Sequence, residues 1–153
     1  MRPALVSLLL LAACAEEPAP PAPPKKEPVA KPPRRVLVDR ILLAFEGNAQ
    51  GIESYRPKER ARELAYSLLE RIRGGADFNL LKAEYSDDPA KPLPYVLCDY
   101  GVALRRREDG LAEIPRGAMF GQLPFTLEPG GVAVLDYDPK VAPAGWDVVK
   151  RLR

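Results

Sequence analysis

The residues from Pro57 to Pro89, PKERARELAYSLLERIRGGADFNLLKAEYSDDP, leave a folding chain few choices. Ala61, Leu64, Ala65, Leu68, Leu69 and Ile72 recur three and four residues apart, which predicts a helix with a single apolar stripe. Glu59, Arg62, Glu63, Glu70 and Arg71 take the opposite side. Pro57 suits the first turn, where its missing amide proton costs nothing. Gly74 stands where a left-handed C-cap is wanted, and Asp77 then caps a second helix carrying Phe78, Leu81 and Tyr85. The acidic turn Ser86-Asp87-Asp88-Pro89 ends the unit.

Strand patterns flank it. Val36 to Phe45 is aliphatic and β-branched and reads as a first strand, broken by Gly47, Asn48 and Gly51. Tyr95 to Leu104 reads as a second, interrupted at Gly101. A charged loop and a poorly marked helical stretch from Ala118 to Leu127 follow. Pro129-Gly130-Gly131 turns the chain into a third strand, Val132 to Leu135, and Gly145 to Lys150 closes the domain as a fourth. This order predicts an α+β domain, a four-stranded, mostly antiparallel sheet with about four helices. Leu42, Leu64, Leu68, Phe78 and Val148 are expected to be buried together between the first helix and the sheet.

The first 35 residues read differently. Met1 to Cys14 is a basic start at Arg2, an apolar run from Ala4 to Ala13, and a cysteine, too short to span a bilayer as a helix. Leu11-Ala12-Ala13-Cys14 resembles a bacterial lipobox, which implies a signal peptide over residues 1–13 and lipid on Cys14; an ordinary secretory signal is the other reading. Ala15, rather than Asp, after the cysteine points to the outer membrane of a Gram-negative envelope, facing the periplasm. Eight of the sixteen residues from Pro18 to Pro33 are proline. Such a segment has few backbone donors and cannot bury a core, so residues 14–35 read as an extended linker of about 60–70 Å, or as a proline-rich ligand for another protein. Residues 36–153 remain for one domain.

Lys and Arg total 23 against 21 Asp and Glu, so neither a nucleic-acid footprint nor a polybasic membrane patch is indicated by net charge. Arg105-Arg106-Arg107 is a local exception, a solvated loop or an anion site. With Cys14 lipidated, Cys98 lacks a partner, which excludes a disulfide framework and a cysteine-rich metal site within one mature chain.

The helix, the Gly75-Ala76-Asp77-Phe78 joint, the Tyr85-Ser86-Asp87-Asp88 turn, Cys98-Asp99-Tyr100-Gly101, the Phe125-Thr126-Leu127-Glu128-Pro129-Gly130 segment and the closing Gly145-Trp146-Asp147-Val148-Val149 strand stand in an order that resembles parvulin-type (PpiC, rotamase) peptidyl-prolyl cis-trans isomerases. The resemblance spans Val36 to Leu152. It implies a parvulin-like fold, proline-containing peptides or unfolded exported proteins as partners, and no cofactor or metal. The chain departs from the family in having no histidine. The two family histidines fall on Arg40 and Asp147, on neighbouring strands where the resemblance sets them face to face, and the family acidic position falls on Asp88. The resemblance therefore marks Arg40, Asp88 and Asp147 as catalytic candidates, and Met119, Phe120, Leu123 and Phe125 as candidates for the apolar proline pocket. Each has a plainer reading: core for the four apolar residues, a turn cap for Asp88, and two unrelated exposed residues for Arg40 and Asp147.

Rotating an X-Pro bond crosses a barrier of about 18–20 kcal/mol set by amide conjugation. No bond is made or broken, so a catalyst needs an apolar seat for the proline ring and groups that favour the twisted amide. Arg40 with Asp147 offers a charge-assisted pair in place of a histidine pair. Two functions remain open on the sequence: a prolyl isomerase acting on exported proteins, and a peptide-binding chaperone module that has lost the rate enhancement.

Overall fold

The computed structural model describes residues 33–89 and 94–153. The segment expected to be a signal peptide, Cys14 and all but the last residues of the expected linker lie outside the described residues. The elements run β1 (Arg35–Ala44), α1 (Lys58–Arg73), α2 (Phe78–Tyr85), β2 (Tyr95–Cys98), β3 (Glu113–Pro115), α3 (Leu123–Thr126), β4 (Val132–Leu135) and β5 (Gly145–Arg151). The sheet has five strands in the order β3-β2-β1-β5-β4, antiparallel except for the β2–β3 pair.

The α+β class holds, and several details are corrected. β3, three residues inside the segment read as charged loop, pairs in parallel with β2 and gives the sheet a fifth strand. β2 stops at Cys98, short of Leu104, and Gly101 turns the chain at φ 70°. The stretch from Ala118 to Leu127 is helical only over α3, because Phe120 (φ 60°) and Gly121 (φ 55°) take left-handed backbone that no right-handed helix admits. Three helices therefore stand among the described residues where about four were expected.

The α1–α2 joint is built as the sequence requires, with one change. Gly74 keeps φ −76°, and Gly75 at φ 98° is the left-handed residue. Gly75 N donates to Ile72 O and Ala76 N to Arg71 O, the paired bonds of a Schellman ending. Asp77 then caps α2 by accepting from Leu80 N at 2.9 Å.

β1 is central, and successive residues face opposite sides. Ile41, Leu43 and Phe45 meet Ala61, Ala65 and Leu68 of α1, Phe78 and Leu81 of α2, and Trp146 and Val148 of β5. Val36 and Val38 face the other way, with Leu97, Val149, Phe120 and Phe125. Leu42 was expected in the helix-side core. It is buried, but it is registered opposite Asp147 and shares the second face.

Candidate active site

Beyond Val38, β1 pairs with β5 on one edge and leaves the other edge free of β2. The turn after α2 takes that place. Ser86 Oγ accepts from Leu42 N at 3.1 Å, Asp87 N donates to Leu42 O at 2.8 Å, and Asp87 Oδ2 accepts from Ala44 N at 2.9 Å. Arg56 secures the same turn, donating to Asp87 and to Ala44 O. Ser86 and Asp87 are thus structural, satisfying strand amides and carbonyls that would otherwise be buried without partners. Their docking delivers the next residue, Asp88, to the face that carries Arg40.

Arg40 Nε and Nη2 both donate to Asp88 Oδ2, at 2.9 and 2.6 Å, while Arg40 Nη1 reaches Asp147 Oδ1 at 3.4 Å. The three side chains form one nearly enclosed cluster, with the Arg40 side chain 12% exposed and the two carboxylates 4% and 5%. Arg40 and Asp147 are not directly opposite, as the resemblance suggested. The register pairs Arg40 with Val149 and Leu42 with Asp147, so the two lie one pleat apart on one face of the sheet.

Burial works against the Arg40 charge, yet Asp147 and Asp88 more than offset it, and its pKa stands above the ordinary value. Asp147 moves the other way from a simple ion pair. Burial raises its pKa to about 6 and the Asp88 charge adds to the rise, against the pull of Arg40. Desolvation wins at this carboxyl because Arg40 is shared and its shorter bonds go to Asp88.

Above the cluster lie two rings. The Arg40 guanidinium carbon sits 5.6 Å from the Phe120 ring centre and 5.8 Å from that of Tyr95. Tyr95 did not figure among the site candidates. Its register opposite Val38 puts it on the Arg40 face, and burial pushes its phenol pKa up. Once β1 and β2 are paired, strand alternation alone would have found it.

Met119 and Phe120 line a recess with Arg40, Asp147 and the 141–144 loop, and its volume of about 20 Å³ admits one water. Phe125 lies in the core cluster, with the Arg116 guanidinium 5.6 Å from its ring centre. Leu123 is half-buried on α3 and does not line the recess. The structure thus brings Arg40, Asp88, Asp147, Met119 and Phe120 together and leaves Leu123 and Phe125 outside. Among the described residues no three acidic or thiol side chains gather as a metal site.

Residues 25–92 match the family model of the PPIC-type PPIASE domain, from the linker through β1, α1, α2 and the Ser86–Asp88 turn. Over those residues the chain is similar to a parvulin-type rotamase domain. No curated protein matches it. The matched segment holds Arg40 and Asp88, whereas Asp147, Met119 and Phe120 stand on the part of the chain beyond it. The domain type is that of the peptidyl-prolyl isomerases, whose substrates are peptides.

Proposed function

We propose that this chain is an envelope-anchored peptidyl-prolyl cis-trans isomerase acting on proline-containing segments of exported proteins. The observation that carries the reading is the Arg40–Asp88–Asp147 cluster beneath Met119 and Phe120. When an X-Pro bond twists, the nitrogen regains its lone pair and becomes a hydrogen-bond acceptor, so a donor held there lowers the barrier. Asp147, with a pKa of about 6, is partly protonated near neutrality and supplies such a donor, as does Arg40. Asp88 anchors Arg40. Each 1.4 kcal/mol of preference for the twisted amide gives about tenfold in rate.

A proline ring does not fit the recess as it stands, so binding requires Met119 and Phe120 to move outward. Left-handed backbone at Phe120 stores strain of about 1 kcal/mol that such a movement would release. The replacement of both family histidines, by Arg40 and Asp147, favours a second reading, a peptide-binding chaperone without rate enhancement.

A cis-to-trans assay on a panel of proline tetrapeptides separates the two. Acceleration that falls in Asp88→Ala and Phe120→Ala, with the fold retained by circular dichroism, supports the isomerase. Peptide binding without acceleration assigns the chaperone role.

A further inference from the structure

Two arginine groups far apart in sequence meet where the chain enters the domain. Arg34 Nη2 donates to Tyr100 O at 3.4 Å and Arg35 Nη2 to Ala103 O at 2.9 Å, which draws the start of β1 against the 100–107 segment. One buried carboxylate, Glu113, organises the rest. It lies 3.3 Å from Arg35 Nε and 3.8 Å from Arg107 Nη1, and accepts from Arg105 N at 2.8 Å. Arg105 and Arg106 are left pointing outward, and among the described residues no carboxylate pairs with either side chain. Beside them stand two exposed apolar groups, Tyr100 at 67% and Leu104 at 51%.

We propose that this patch docks the domain on an anionic phospholipid surface. Guanidinium groups are matched to headgroup phosphates, and an exposed tyrosine and leucine at their edge suit the interfacial layer, where an aromatic ring and an aliphatic chain find both water and hydrocarbon. A free phosphate or an acidic polypeptide would use the arginines and gain little from Leu104. The position reinforces the assignment. Pro33 and Arg34 are the first described residues, so the preceding chain leaves the domain beside the patch. If that chain ends in a lipid anchor, the tether joins the domain beside the patch and keeps it within reach of the bilayer, and the cleft of Arg40 and Phe120 belongs to a different set of residues. Net charge concealed the patch, because Glu108, Asp109 and Glu113 line the same recess and offset its arginines in the count.

The test uses the chain from residue 14 onward with Cys14→Ser, which has no acyl group; both core clusters are built within residues 36–149, so the domain keeps its core. Co-sedimentation is measured with phosphatidylcholine vesicles with and without phosphatidylglycerol. Binding is expected only with the anionic lipid and is expected to weaken as salt rises. Arg105→Glu with Arg106→Glu should weaken it by about tenfold or more, and Leu104→Asp should weaken it at all salt concentrations. Prolyl isomerisation is read on the same samples, so loss of vesicle binding leaves the isomerase reading untouched. Equal binding to neutral vesicles, or no effect of the double substitution, overturns the proposal. Displacement by soluble polyglutamate in preference to lipid reassigns the patch to an acidic polypeptide and also overturns it.

Discussion

Two nitrogens of Arg40 converge on a single oxygen of Asp88, and only the third, Nη1, is left for Asp147. The unequal sharing makes Arg40 the keystone of the cluster. Arg40→Met strands two buried carboxylates on one face, and breaking a buried pair in this way costs about 3–5 kcal/mol. Asp147→Asn alone leaves Arg40 its better partner and strands no charge, so above pH 6 it is expected to cost nothing. The double variant is expected to be more stable than the sum of the single changes predicts, because the stranded repulsion is gone. Urea titration of the four proteins measures the coupling, and strict additivity would show that the residues do not interact.

The pH dependence follows from Asp147. Its pKa rises from 3.8 to about 6 on folding, so the native state binds the proton more tightly than the unfolded chain. Stability from this group is therefore full below the unfolded value and is lost as pH rises through about 6, by about 3 kcal/mol. Asp147→Asn, which imitates the protonated acid, is expected to flatten the stability profile across that window and to equal or exceed the parent above it. Denaturant midpoints measured across the range decide it. A parent that gains stability between those pH values would mean that the Arg40 attraction outweighs burial.

The helix-side core gives a simpler expectation. Leu68 is fully buried among Ile41, Leu43 and Phe78, so Leu68→Ala should cost about 2–5 kcal/mol. A loss below about half a kcal/mol by urea titration would mean that the stripe of α1 is not its packed face.

That stripe was legible because helical spacing, the Asp77 cap and the Gly74-Gly75 ending are local signals. Leu42 was not, because a central strand buried on both faces reads as a continuous apolar run and alternation has nothing to mark. β3 is three residues long and owes its existence to β2, which no local pattern announces. In the site, the motif order pointed to Arg40, Asp88 and Asp147, and their opposite charges suggested a cluster. The sharing of Arg40 and the place of Tyr95 depend on register and a docked turn, and those are set by tertiary pairing. The left-handed backbone at Phe120 and Gly121 removed the helix on which Met119 and Leu123 would have shared a face.

Lipidation is tested at Cys14. The Leu11-Ala12-Ala13-Cys14 sequence predicts cleavage before the cysteine and a diacylglyceryl group on its sulfur through a thioether, two or more acyl chains that give a lasting anchor. Mass spectrometry of the N-terminal peptide from the membrane fraction is expected to show diacylglyceryl cysteine. An unmodified Cys14 there would exclude the anchor.

The strictest structural requirement concerns Gly145, the first residue of β5. A Cβ built there would lie 2.0 Å from Leu43 O and 3.0 Å from Ala44 Cα, on backbone that cannot rotate aside. Gly145 is registered opposite Ala44, one step before the Leu43–Trp146 pair, so relief of the clash must part β1 from β5 at the end that holds Trp146 and Asp147. Glycine is demanded here by the closeness of two strands, since its φ lies outside the left-handed range. Gly145→Ala is therefore expected to lose more stability than Leu68→Ala, although it adds one methyl group and removes nothing. Gly47→Ala provides the contrast. Its Cβ meets nothing within 4 Å, so only the positive φ of 73° opposes it, at about 1 kcal/mol. Thermal melts of the three variants rank the costs, and a Gly145→Ala protein as stable as Gly47→Ala would show that β1 and β5 are not paired in this register.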